Sequence, residues 1–188
     1  ITGKTTAKLF DVANRLYFTK DNFDLFCPSF GDTWPLFNGA MGFTIEQGGG
    51  AQAGLTFSRE GGDTLTLTQR IEGHWLSSVA MVAAANDNRE RLLKEFYEFF
   101  RSASTSPTFK YKTIVIKGSN DASSLASLRS LLESNQIRYS SPRVTGKKLT
   151  AFDYRSDREG TLTIEKNDMI ISAFQPQGRL MQVLFEPD

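Results

Sequence analysis

Histidine and cysteine occur once each, at His74 and Cys27. That scarcity excludes more than any single motif includes. A catalytic zinc usually takes three protein ligands, most often with two or more His among them, and one His with one Cys does not readily supply that set. A lone Cys forms no internal disulfide, so no compartment follows from it. Charge is nearly balanced: 22 Lys and Arg against 21 Asp and Glu leave +1. There is no basic excess to neutralise phosphates, and nucleic acid is not expected as a partner. No apolar run reaches the roughly 18–20 residues that span a bilayer. No secretory leader is read either, and no membrane partner is expected. The first residue is Ile rather than Met, which reads as a mature form or a fragment.

What remains suffices for a core. Hydrophobic residues make up 39% of the 188, and 15 are Phe, a composition that argues against disorder. The length allows one domain or two small ones. Leu9, Val12, Ala13 and Leu16 recur at helical spacing and predict a helix over 5–18. Residues 20–32 (KDNFDLFCPSFGD) are mixed, and Pro28 and Gly31 mark them as loop. Met41 to Ile45 is a short apolar run of strand length, read as a buried strand. Residues 65–100 form the longest regular region. Asp63, Thr64, Thr66 and Thr68 are candidate caps. Ile71, Trp75, Val79, Val82 and Ala83 lie on one helical face. Asn86-Asp87-Asn88 interrupts the pattern. Leu92, Leu93, Phe96, Phe99 and Phe100 then mark a second helix or a kinked continuation.

Ser102–Pro107 (SASTSP) is the candidate domain boundary. Beyond it, TIVI at 113–116 predicts a strand. Leu125, Leu128, Leu131 and Leu132 predict a helix, and 137–139 a further strand. That order implies a right-handed βαβ crossover in a parallel sheet. Residues 140–160 read as loop-rich, 161–164 and 169–173 as strands, and 178–185 (GRLMQVLF) as a last helix. The fold class expected is α/β: a partial mixed sheet with flanking helices, then a small βαβ-containing domain. In the first half, missing strands leave apolar surface or an unpaired edge. Self-association, or mutual packing of the two halves, is therefore expected.

Glu46 is the candidate catalytic residue. It ends the apolar run just before Gly48-Gly49-Gly50, at the end of a sheet strand, where α/β sheets place their sites. A carboxylate there can take a proton from a metal-bound water; the plainer reading is a paired or solvated Glu. His74 sits in RIEGHWLSS with Ser77 and Ser78 one turn on. Neither an oxyanion hole nor a G-x-S-x-G elbow accompanies it, so it reads as structural. Cys27 has only His74 to activate it and reads as a small buried apolar residue. The glycine run matches no complete phosphate loop. Trp34 with Phe37, and Trp75 with Tyr97, read as core. Arg70 has the geometry for a carboxylate but reads equally as a salt-bridge residue. Gln175-Pro176-Gln177-Gly178 is a turn feeding a helix.

FGDTWPLFNGAMGFTIEQGGGAQAGL, followed by DTLTLTQRIEGHWLSSVAMVAAANDNRERLL, resembles the C-terminal part of the catalytic domain of zinc carboxypeptidases, the carboxypeptidase A-like metallopeptidases. The likeness covers about the first hundred residues. It implies that Glu46, in Thr44-Ile45-Glu46, matches the family's general base. It also implies that the helix after it matches the family's final helix, which packs on the sheet. Residues 108–188, through YKTIVI, LRSLLESNQIRY, GTLTI and AFQPQGRLMQVLFEP, resemble part of a class I glutamine amidotransferase domain. The expected domains are therefore 1–106, carboxypeptidase-like, and 107–188, amidotransferase-like.

The departures define the expected function. The family's His-x-x-Glu motif and its third ligand, a further His, are missing, and His74 falls after the base. Residues 108–188 contain no Cys for an amidotransferase nucleophile. The chain thus reads as a fragment of a zinc metallocarboxypeptidase-like protein, inactive alone. Zinc and a peptide substrate belong to the parent, no metal is expected here, and the family implies a periplasmic or secreted setting. The alternative is a non-catalytic binding or regulatory module derived from such a peptidase.

Overall fold

A computed structural model describes residues 1–18, 29–48, 55–58 and 60–187. Among these residues the chain holds six helices and three small antiparallel sheets, an α/β mixture in the general sense. It gathers into two compact units, 1–36 with 41–95 and 37–40 with 96–188. The long passage from one to the other falls inside a helix, between Glu95 and Phe96, upstream of Ser102–Pro107.

The first unit opens with helix α1, Thr2–Val12, shorter than the 5–18 expected. Asn14 takes a left-handed φ of +51°, and the Arg15 N–H reaches back to the Phe10 carbonyl (2.8 Å). That is how a helix closes on an αL residue, and Asn tolerates the conformation better than most. Leu16 lies past the end, 85% exposed. A four-residue turn of helix, α2 (Trp34–Phe37), stands at the boundary of the units. β1 (Thr56–Ser58) and β2 (Thr64–Thr66) pair antiparallel and feed α3, Leu67–Asp87.

Of the candidate caps, Thr66 is the one used. Its hydroxyl accepts from the Gln69 N–H (3.3 Å), and the Gln69 side chain accepts from the Thr66 N–H (2.9 Å). This is a reciprocal capping box. Thr66→Ala is expected to cost about 1 kcal/mol, read as a lower denaturant midpoint for the first unit with an unchanged slope. α3 ends at Asn88, whose side chain donates to the Ala84 carbonyl (2.8 Å). α4 (Arg89–Thr105) then continues, so the break at 86–88 lies where the sequence places it.

α3 packs with α1, and its buried face is not the expected one. Its buried residues are Arg70, Gly73, Ser77, Ala80 and Ala84. Ile71, Trp75, Val79 and Val82 are exposed. Trp75 is therefore not core, nor is Tyr97 on α4. It is thus the row of small residues, and not the bulky stripe, that the unit buries.

The second unit has the better-filled core. Its sheet runs β3 (Thr113–Ile116), β7 (Met169–Ser172), β4 (Tyr139–Ser140). Helix α5 (Ala122–Ser134) links β3 to β4, capped by Asp121 accepting from the Ser124 N–H (2.8 Å). β3 and β4 do run parallel, but β7 lies between them and is antiparallel to both. The contiguous parallel pair expected from the strand–helix–strand order is thus split. β7 at the centre is the most buried strand, with Met169 and Ile171 buried, as a strand flanked on both sides is expected to be.

Residues 140–160 are less loop-rich than expected. β5 (Lys148–Asp153) and β6 (Arg158–Thr163) form a hairpin. Its turn is held by Asp153, which accepts from the Arg155 N–H (3.0 Å) and the Ser156 hydroxyl (2.9 Å). Tyr111 stacks on Phe152. Helix α6 (Gly178–Phe185) closes the chain. Arg179 sits over the Phe99 ring (4.7 Å) and donates to the Ser102 hydroxyl (3.1 Å). Before α6, buried Gln175 accepts from the Arg138 N–H (2.7 Å) and donates to the Arg138 and Ser172 carbonyls (3.2 and 2.7 Å).

Candidate functional site

The segment Met41–Gln47 is not a strand, and Met41 and Phe43 are exposed. Glu46 therefore does not end a buried strand. The reason is local. A Cβ on Gly42 would overlap the Asp32 carbonyl, so the backbone here lies against the turn at 30–33 instead of joining a ladder. The Thr44 hydroxyl donates to the Asp32 carboxylate (2.6 Å), and chiefly that bond holds Asp32 below the usual carboxylate range. Thr33 beside it is fully buried. Two anchors, at Gly42 and Thr44, thus fix the approach to Glu46.

On the other flank, Gln47 is set against α3. Any Cβ at Gly73 would collide with the Gln47 carboxamide, at 2.6 Å from Nε2. The Gln47 carboxamide thus lies against the helix backbone at Gly73, and as the end of a flexible side chain it would yield to a Cβ there. Glu46 itself is exposed, and no hydrogen bond or ion pair holds it among the described residues. A carboxylate acts as a general base only within reach of a group that presents it with a proton.

His74 is exposed on α3. Ser77 donates to the Gly73 carbonyl (2.8 Å) and Ser78 to the His74 carbonyl (2.9 Å). Both hydroxyls are engaged by their own helix, and no nucleophile–base pair forms. Glu72 is engaged by Arg15. Arg70 is nine-tenths buried within α3. Cys27, Gly49 and Gly50 lie outside the described residues.

The chain matches no family model, no curated protein and no solved structure. Among the described residues no group of three His, Cys, Asp or Glu is placed to hold a metal ion. Those residues do not fit a catalytic zinc, and no step through zinc follows from them. Nor is any helix among them long and apolar enough to cross a membrane.

One charged cluster has no counterpart in the sequence pattern. Asp168, its side chain fully buried just before β7, accepts from Lys117 Nζ (2.7 Å) and from the N–H groups of Gly118 (3.0 Å) and Glu165 (2.8 Å). Lys117, just past β3, also donates to the Thr163 carbonyl (2.9 Å) and pairs with Glu165 (3.0 Å). Burial opposes the charge on Asp168, but Lys117 and the two N–H groups outweigh it and hold the carboxyl below its ordinary range. Burial likewise opposes the Lys117 charge, and the two carboxylates push it above the ordinary lysine value. The buried bonds all run inside the cluster, which fastens β3, β6 and β7 together. The Lys-Gly after TIVI and the Asn-Asp before MIIS read only as turns; no one-dimensional signal joins them across some 50 positions.

Proposed function

We propose that this chain is a segment of a zinc-carboxypeptidase-like protein, with Glu46 as the residue matching the general base and an amidotransferase-like unit downstream. The observation that carries this is the contact of Gln47 with Gly73. It joins the two stretches on which the resemblance rests, the Thr-x-Glu-Gln segment and the helix with Arg70 and His74. In this reading the parent supplies the zinc ligands, acts on the C-terminal bond of a peptide, and works in the periplasm or outside the cell. This chain by itself is inert in this reading, since the zinc ligands belong to the parent and none of the described residues holds Glu46 beside a metal-bound water.

Two measurements test the reading. The reading frame upstream of Ile1 is expected to encode a His-x-x-Glu motif; a stop codon there overturns the proposal and leaves a non-catalytic binding or regulatory module. The purified chain is expected to carry substoichiometric zinc and to leave C-terminal peptide bonds intact. Stoichiometric zinc with hydrolysis overturns the inert reading. In the longer, active protein, Glu46→Gln is expected to lower kcat by about 10²–10⁴-fold with little change in KM.

A further inference from the structure

α3 is built inside out. Its buried side is small, with Gly73, Ser77, Ala80 and Ala84. Its bulky apolar side chains face away: Leu67, Ile71, Trp75, Val79 and Val82 are 44, 59, 63, 42 and 71% exposed. An ordinary surface helix has the opposite arrangement. Between Glu72 and Asp87 there is no Lys, Arg, Asp or Glu at all. The only large apolar residue buried among the described residues of this unit is Phe10; the others are Ala80 and Ala84. Among its described residues the unit thus leaves most of its large apolar side chains exposed.

We propose that this face is covered by α3 of a second copy of the chain, in an antiparallel two-fold pair. Three features select that occupant. The five exposed side chains offer roughly 500 Å² of apolar surface; with the flanking Ser78, Ala83 and Asn86 this approaches the roughly 800 Å² per partner of a stable interface. The stripe is uncharged over about four turns, so it carries no electrostatic address for a different partner. It is also self-complementary: Trp75, midway along the stripe, and the smaller Val82, at its C-terminal end, are equidistant from Ser78–Val79. Crossing two copies about Ser78–Val79 sets each Trp75 on the partner's Val82, the reciprocal contact that a two-fold axis requires. The inference does not depend on the role given to Glu46.

The test is sedimentation equilibrium of the full chain from below 1 µM to about 100 µM, a span set to bracket ordinary dimer affinities. The expected species is twice the 21.0 kDa chain. Trp75→Lys and Val82→Glu both lie on an exposed face, so helix content by circular dichroism is expected to be unchanged while each variant alone becomes a monomer. Mixed together, they are expected to restore a heterodimer. The lysine introduced in one chain then meets the glutamate introduced in the other, and the native contact of Trp75 with Val82 remains on the second side. A wild-type monomer throughout the range overturns the proposal. So does association that persists in Trp75→Lys, or a mixture that fails to pair.

Discussion

Replacing Asp168 with Ala is expected to lower the stability of the second unit by roughly 3–5 kcal/mol, the usual cost of removing one partner from a buried pair. The loss has two parts. Lys117 keeps its charge at a part-buried site with only the exposed Glu165 to meet it. The N–H groups of Gly118 and Glu165 lose their acceptor. Both consequences loosen the ends of β3 and β7. Both Trp residues, 34 and 75, belong to the first unit, so tryptophan fluorescence does not report the change. Amide exchange of Ile114 and Ile171 does. Replacing both members, Lys117→Met with Asp168→Leu, is expected to recover most of the loss, since the uncompensated charge disappears with its partner.

The same pair sets an acid limit. A carboxyl whose folded value is depressed contributes stability that is present above the unfolded value, about 4, and is lost as pH falls through the folded value. The unit is therefore expected to weaken below about pH 4, and Asp168→Ala to flatten that dependence. Asp121 and Asp153 are also held below the usual range, chiefly by the Ser123 hydroxyl and the Arg155 N–H respectively; they supply the acid sensitivity that remains. At the alkaline end the sign reverses. The raised value of Lys117 means its contribution is intact below the ordinary lysine range and fades only as pH rises through the folded value.

Ile171→Ala is the second large effect, expected to cost about 2–5 kcal/mol. Ile171 is fully buried in the central strand, opposite Ile114 on one side and Tyr139 on the other. Leu132, Leu180 and Met181 are likewise fully buried, and a core held by three sheet strands and two helices does not collapse readily on a lost side chain. Ile171→Val, which removes one methylene, is expected to cost about 0.5–1.5 kcal/mol. Urea titration followed by far-ultraviolet circular dichroism distinguishes the two. Equal small losses would mean that the second unit is loosely packed around β7.

These two residues also show what the sequence conveys. TIVI and MIIS are legible as strands because β-branched runs of four residues have few other uses. The leucines of α5 and the ends of α6 are legible for the same local reason. The order β3-β7-β4 is not, because nothing in a strand's own residues says which neighbour it takes. Of the hairpin 148–163 only the end of its second strand is legible, because the few apolar residues, Leu149, Ala151 and Phe152, fall on both faces and give no alternating pattern. α3 is the instructive failure: periodicity separates a bulky stripe from a small one, and bulk alone argues for the inside. Here the small stripe is the buried one. At Glu46 the motif is legible but its setting is not, since the expected strand is displaced by Gly42 and Thr44 anchoring on Asp32.

Gln175 has a consequence for which residue types the position admits. An antiparallel rung exchanges two hydrogen bonds, one in each direction, between two backbones. At Arg138 the partner in that exchange is a carboxamide: its oxygen receives the N–H and its nitrogen serves the carbonyl. A side chain has thus taken over the polarity of a peptide group, and the backbone at 175 is released to turn through Pro176 into α6. Glu presents two acceptors and leaves a carbonyl facing negative charge. Lys and Arg present only donors. Asn has both kinds of atom but lacks one methylene of reach. The rung is therefore written in a single letter of the sequence, and its specificity is a matter of donor and acceptor order and has nothing to do with hydrophobic pattern.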